Sequence, residues 1–253
     1  MCVLFFAFKV HDDYPLIVAA NRDEFYERPT APLHFWEDDP SILAGRDLKE
    51  MGTWMGISKQ GRFAALTNFR DPSESTENKR SRGELVSDFL QNGEEPLEFL
   101  KQKQLERHEY RGYNLIVGNS EVLFYYSNVQ NEIRKLQRGI YGLSNHFLDT
   151  PWPKVMKGKE DMERCLSGTT VIDQECLFNI LDNRDPAEQH RLPDTGIGLE
   201  WEKKLSPIFI ETEKYGTRSS TVLTVKSDRH VNVTERSVKD NHLNTERFTF
   251  RIE

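Results

Sequence analysis

Three cysteines, Cys2, Cys165 and Cys176, are all that this chain carries, and no two form a CxxC pair. An odd, scattered set is a poor disulfide framework and a poor zinc ribbon, and it fits a reducing compartment. The seven histidines show no HExxH and no paired ligand spacing, so no metal site is expected. There is no GxSxG elbow and no P-loop. Gly196-Ile197-Gly198 lacks both a preceding strand and a third glycine, so it is no dinucleotide fingerprint. The apolar opening, Cys2 to Phe8, is far shorter than the about 20 residues that span a bilayer. It also lacks the basic flank and small-residue cleavage site of a signal peptide, and His11, Asp12 and Asp13 end it. Excess positive charge is missing too: the net charge of −7 excludes a general nucleic-acid binder, which needs a basic face to release counterions, but it leaves room for a local basic pocket. The expectation is a soluble, cytoplasmic protein without stable membrane insertion and without a resident cofactor.

What is present suffices for a core. Hydrophobic residues make up 37% and aromatics 11%, and the 30% of charged residues are interspersed with apolar runs rather than blocked together. CVLFFAF is continuous rather than alternating, which suits a strand buried on both faces of a layered sandwich. Asp12-Asp13-Tyr14-Pro15 marks a turn, and Pro15 to Ala20 reads as the second strand of a hairpin ending at Asn21-Arg22-Asp23-Glu24. A loop rich in proline and acidic residues is expected through Gly45. Trp54–Ser58 and Phe63–Asn68 form a second hairpin, and Asp71–Arg82 reads as an exposed loop. Ser81 with Glu84 predicts a capping box opening a helix over Gly83–Leu90, and Pro96–Arg107 predicts another. Strands return at 114–117, 122–127 and 133–136, helices begin at Thr150-Pro151-Trp152-Pro153 and around 177–181, and 193–198 reads as a loop. Strands close the chain at 219–225, 230–234 and 247–252. One α+β domain over residues 1–253 is the simplest account.

The second residue is where chemistry could begin. With Met1 removed, the thiol and the free α-amine belong to one residue. An α-amine with a pKa of roughly 7.7–8 can serve as base for a thiol near about 8.5. A cysteine at the start of a buried strand is equally an ordinary small hydrophobe. The hairpin places Asn21–Glu24 opposite Cys2, where a carboxylate could hold the ammonium and a guanidinium could favour the thiolate. Arg22 and Asp23 are adjacent, so on a regular strand only one of them points at Cys2. Asn68 and Asn145 each end an apolar or small-residue strand and could supply a side-chain amide to an oxyanion, although asparagine there is also a common turn residue. Arg218 either enters the apolar run 221–225, where a buried charge would need a partner, or stands exposed at the strand's start.

Taken together, Met1-Cys2 with Phe5-Phe6, then Ala19-Ala20-Asn21-Arg22-Asp23-Glu24-Phe25-Tyr26 with Arg28-Pro29, resemble the NRDE family, the transport and Golgi organisation protein 2 family. The likeness continues through Gly52–Ser58, Ala64–Asn68, Arg82–Val86, Tyr141–Asn145 with Pro151-Trp152, Tyr215–Arg218 and Thr234–Ser237, and so spans nearly the whole chain. The family is similar to N-terminal-nucleophile hydrolases, which implies a four-layer αββα sandwich, two antiparallel sheets packed between helices. By analogy with the penicillin V acylase and bile-salt hydrolase group, the resemblance implies catalytic roles for Cys2, Arg22, Asp23, Asn145 and Arg218, with Asn21 and Asn68 as substrate or oxyanion contacts. In those analogues the early arginine and aspartate are separated by intervening residues, whereas here they are adjacent. The implied activity is cleavage of a non-peptide C–N bond in a small amide or lipid-like substrate, through an acyl-enzyme on Cys2. The family's link to secretory organisation, lipid or acyl-CoA metabolism and haem trafficking implies a second reading: a non-enzymatic carrier of haem or an acyl lipid in the same pocket, with Cys2 or a nearby histidine as iron ligand.

Overall fold

The computed structural model describes residues 2–75, 77–239 and 242–253. Met1, whose removal the nucleophile reading requires, lies outside them, as does Thr76 of the Asp71–Arg82 loop. In chain order, the strands are β1 (Cys2–Phe8), β2 (Leu16–Phe25), β3 (Thr30–Phe35), β4 (Ile42–Asp47), β5 (Met55–Ser58) and β6 (Phe63–Asn68). Helices α1 (Gly83–Gln91) and α2 (Pro96–Leu105) follow, then β7 (Tyr113–Gly118), β8 (Leu123–Ser127), β9 (Glu132–Lys135) and β10 (Gly139–Leu143). The last third holds α3 (Pro153–Leu166), α4 (Gln174–Leu181), α5 (Leu199–Lys204), β11 (Tyr215–Val225), β12 (His230–Lys239) and β13 (His242–Arg251).

The strands pair antiparallel into a six-stranded sheet, ordered β10-β1-β2-β11-β12-β13, and a seven-stranded sheet running from β3 to β9 in sequence. Alternation along each strand explains why these sheets stack. In β1 and β2, Leu4, Phe6, Leu16 and Val18 face Leu43, Ile57, Phe63 and Ile116 of the other sheet. The other parity, Val3, Phe5, Ile17 and Ala19, packs on Met162, Leu177, Phe178 and Leu181 of α3 and α4. On the far side, Ala64, Leu66, Leu115 and Val117 pack on Leu85, Phe89 and Phe99 of α1 and α2. This is the four-layer αββα sandwich, with apolar residues on both parities of the central strands, as CVLFFAF requires. Gly158 lets α3 lie close on β1, because a Cβ there would come within 2.1 Å of the Phe5 ring.

Three expectations are corrected. Residues 21–24 do not follow the second strand but lie within it. β2 is hydrogen-bonded by β1 on one side and β11 on the other, and this pairing carries it through the polar residues to Phe25. The segment before Gly45, expected as a loop, contains β3 and β4. Their prolines and Asp38-Asp39-Pro40 mask a strand pair whose register slips between Ala31 and His34, as an edge strand tolerates. Cys165 and Cys176 form a disulfide joining the end of α3 to α4, so the set is one bridge and one free thiol, Cys2, and the cysteines no longer argue for a reducing compartment. A spacing of 11 residues carried no sign of this, because the two side chains meet only when the helices pack on the sheet.

No helix among the described residues is long and apolar enough to cross a membrane.

Candidate active site

The β1–β2 register puts Cys2 directly opposite Arg22. Directly paired residues share a face, so both belong with Leu4 and Ala20 on the side turned to the second sheet. There Arg22 stacks on Trp54, its guanidinium carbon 4.3 Å from the ring centroid. Trp54 can lie flat because Gly45 is beneath it: a Cβ on residue 45 would meet the indole at 2.3 Å. Cys2, Arg22, Asp23, Trp54, Leu66, Asn68, Arg82 and Arg111 line a cavity of about 500 Å³ between the sheet edge and the start of α1. A neighbouring cavity of about 630 Å³ shares Glu24, Arg28, Asn68, Arg82 and Arg111 and adds an apolar wall of Phe25, Ile197, Trp201, Leu205 and Tyr215. A third hollow of about 590 Å³, on the outer face of α3, gathers no comparable set of groups.

Asp23 points to the other side of β2, into the helical layer, yet its place near the strand end leaves it on the cavity wall. Its Oδ1 accepts a 2.7 Å hydrogen bond from the Thr217 hydroxyl, which itself accepts from the Ile210 amide. Burial pushes the Asp23 carboxyl above the usual range, and the charge of Lys154 opposes that push. Lys154, buried at the start of α3 with its Nζ on the Leu205 carbonyl, is pushed down to about 8 by burial, with Asp23 opposing. Burial also raises the Cys2 thiol, Asp23 adds to the rise, and Arg22 works against it. The neighbourhood therefore resists forming a bare thiolate and favours a neutral nucleophile with a base at hand.

The two adjacent residues thus serve opposite faces, Arg22 beside the thiol and Asp23 behind it. Asn68, at the end of β6, lines the cavity. Asn145 is placed beyond β10 at the level of Cys2, since Leu143 pairs with Leu4. Its Nδ2 donates to the Asn68 carbonyl at 3.0 Å and its own carbonyl accepts from the Arg70 amide, so it braces the cavity wall from one layer back. Asn21, expected as a substrate contact, faces the helices and is 1% exposed. Its Nδ2 donates to the Leu181 and Ile208 carbonyls, and its Oδ1 accepts from Ser220, which occupies the whole amide with structure. Arg218 is the extra residue of a β-bulge between Thr217 and Ser219. The bulge turns it out of the strand to donate to the Phe25 and Arg28 carbonyls, beside a separate hollow.

Trp54, Arg82, Arg111, Lys154 and Glu235 stand at or near the site without a local pattern that marks them. Trp54, Arg82 and Glu235 lie inside stretches that carry the resemblance, which was the available signal. Glu235, 2% exposed, reaches from β12 to accept the Leu33 amide of the other sheet, and burial raises its carboxyl. No histidine lines either of the two adjoining cavities among the described residues. Cys2 is the remaining soft ligand for iron there.

The family model for Transport and Golgi organisation 2 matches residues 1–240. The chain is 37% identical over 276 residues to the human Transport and Golgi organization protein 2 homolog, covering 100% of each chain. It is 27% identical to Drosophila melanogaster Transport and Golgi organization protein 2, covering 94% of this chain and 92% of the other. Among solved structures, a Caenorhabditis elegans N-acylethanolamine-hydrolyzing acid amidase ortholog superposes with a TM-score of 0.52 at 11% identity, covering 88% and 92% of the two chains. The C2A mutant of conjugated bile acid hydrolase from Clostridium perfringens also gives 0.52, at 9% identity over 100% and 97%. At such identities the likeness is one of fold alone.

Proposed function

The chain belongs to the Transport and Golgi organisation 2 family, and on that premise we propose that it is a cysteine amidohydrolase of the N-terminal-nucleophile type, acting on a small or lipid-like amide. The observation that carries the reading is the pairing of Cys2 with Arg22 on the wall of a cavity whose rear is closed by Asp23. The amidase and bile acid hydrolase folds support it as architecture. In the proposed reaction, Met1 is removed and the Cys2 amine takes the thiol proton as sulfur adds to the amide carbonyl. Asp23 orients the resulting ammonium, and Asn68, braced by Asn145, donates to the oxyanion. Collapse of the tetrahedral adduct breaks the C–N bond, the ammonium returns its proton to the departing amine, and water then cleaves the thioester to a carboxylic acid and the regenerated thiol.

Two measurements test this. Intact-mass analysis of the purified protein should show a chain beginning at Cys2, and a retained Met1 would remove the base and end the mechanism as written. Incubation with a library of N-acyl amines should then trap a mass adduct on Cys2 that Cys2→Ala lacks. The apolar wall of the adjoining cavity favours one other outcome, a carrier that binds an acyl chain or haem. Saturable binding of haem or an acyl-CoA that survives Cys2→Ala, with no adduct from any amide, would select the carrier.

A further inference from the structure

The cavity that holds Cys2 has a charge opposite to that of the chain. The protein carries a net −7, yet around Cys2 basic side chains outnumber acidic ones. Three of these cations are matched locally by carboxylates. Arg28 pairs with Asp47 at 2.6 Å, Arg80 with Glu84 and Glu109, and Arg111 approaches Glu74 at 3.6 Å. Arg22 and Arg82 are not: neither has a carboxylate within ion-pair distance among the described residues. Arg22 is 5% exposed, and its Nη1 is buried without a hydrogen-bond partner among those residues, an expensive arrangement for a cation. Arg82 holds the Gly112 carbonyl with Nη1, and burial together with the adjacent Arg111 pushes its guanidinium down to about 10.

The start of α1 opens onto the same space. Ser81 and Glu84 were expected to close it as a capping box, but Arg82 occupies the N-cap position with no side-chain cap. The Glu84 carboxylate is instead turned to Tyr110 and Arg80. Ser81, Arg82 and Gly83 therefore line the cavity at the positive end of a nine-residue helix. A buried guanidinium with no carboxylate in ion-pair distance among the described residues, a second cation on the same cavity and an uncapped helix start converge from β2 and α1 on one volume next to the thiol.

We propose that this is an oxyanion subsite: the substrate of Cys2 carries a carboxylate or phosphate group that Arg22, Arg82 and the start of α1 receive while its carbonyl lies at the sulfur. The site accordingly selects against cationic and neutral substrates and draws anionic ones from solution, with an advantage that falls as salt rises. The inference rests on the proposed reaction for the bond that is cut, but its test needs no turnover.

Because Cys165 and Cys176 are bridged, alkylation reads Cys2 alone. The experiment compares rates of Cys2 modification by iodoacetate, which is anionic, and by iodoacetamide, which is neutral and nearly the same size. The ratio of these rates should exceed that of free cysteine by about tenfold at low salt and shrink as sodium chloride is added. A ratio equal to or below that of free cysteine overturns the subsite whatever the enzyme does to amides. Arg82→Gln should reduce the ratio several-fold, while Arg138→Gln, on the exposed surface, should leave it unchanged; an unaltered ratio in a folded Arg82→Gln removes Arg82 from the site. Slowing of the iodoacetamide reaction by sodium phosphate more than by sodium acetate at matched ionic strength assigns a phosphate-bearing substrate, stronger slowing by acetate a carboxylate-bearing one, and equal slowing supports the subsite for either anion. Slowing by neither, beyond the effect of chloride, overturns the proposal.

Discussion

The two helical layers of this sandwich pack against their sheets in different ways. On the seven-stranded sheet, α1 and α2 meet the strands through Leu85, Phe89, Phe99, Leu100, Leu115 and Val117, with Phe89 and Phe99 edge-to-face at 5.2 Å. On the six-stranded sheet, α3 and α4 begin the same way but end, towards Cys2, in buried polar groups. These are Asn21 against two helix-side carbonyls, Asp23 on Thr217 and Lys154 on the Leu205 carbonyl. Apolar burial stabilises without direction, whereas buried charge is costly and directional. The layer of α1 and α2 is therefore apolar support where its helices meet the strands and reaches the site only at the start of α1, whereas the layer of α3 and α4 gives up stability for buried polar groups near Cys2.

That contrast can be broken by substitution. Phe89→Ala should lower the unfolding free energy by about 3–5 kcal/mol, from lost burial and the cavity left behind. The Cys2 alkylation rate of the folded fraction should stay unchanged; a shift in that rate would show that the layers are coupled. Asn21→Ala should cost less, about 1–3 kcal/mol, because it strips the Leu181 and Ile208 carbonyls and the Ser220 hydroxyl of a partner. Chemical denaturation measures this, and a loss of Cys2 reactivity in the folded state without loss of stability would return Asn21 to the site.

The smallest effect per pH unit is the sharpest test of the polar layer. The folded pKa of Lys154, about 8, lies below its ordinary 10.5, so between these values the unfolded chain holds a proton that the folded one has released. Stability should therefore rise with pH through that window in the wild type relative to Lys154→Met, by at most about 1.4 kcal/mol per pH unit. A stability difference that stays flat from pH 8 to 10 would give Lys154 an ordinary pKa and remove the argument that its charge is strained.

Much of the sandwich could be read along the chain because its strands are apolar on both faces or alternate cleanly. The β1–β2 hairpin, and with it the approach of Cys2 to Arg22, followed from one turn signal between two apolar runs. Less legible was anything that depended on a third strand. Asn21–Glu24 read as a strand end because they are polar, but β11 pairs with them from the far side and continues β2 to Phe25. The same pairing contains the bulge that turns Arg218 away. Asn145 was noticed for its place after a strand, but its amide is held by the Asn68 carbonyl, a contact across 77 positions that no local pattern encodes.

By itself the sequence determined the alternation that forces two sheets together between helices, the position of Cys2 at the head of a buried strand, and a family likeness running nearly end to end. These are local properties, set by side-chain period and order. Tertiary structure decided which of two neighbours, Arg22 and Asp23, stands beside the thiol and which behind it. It also decided that Cys165 meets Cys176, and that an arginine with no carboxylate in ion-pair distance among the described residues shares one cavity with an uncapped helix start. Those outcomes depend on distances between segments far apart in the chain, and such distances exist only once the layers have packed.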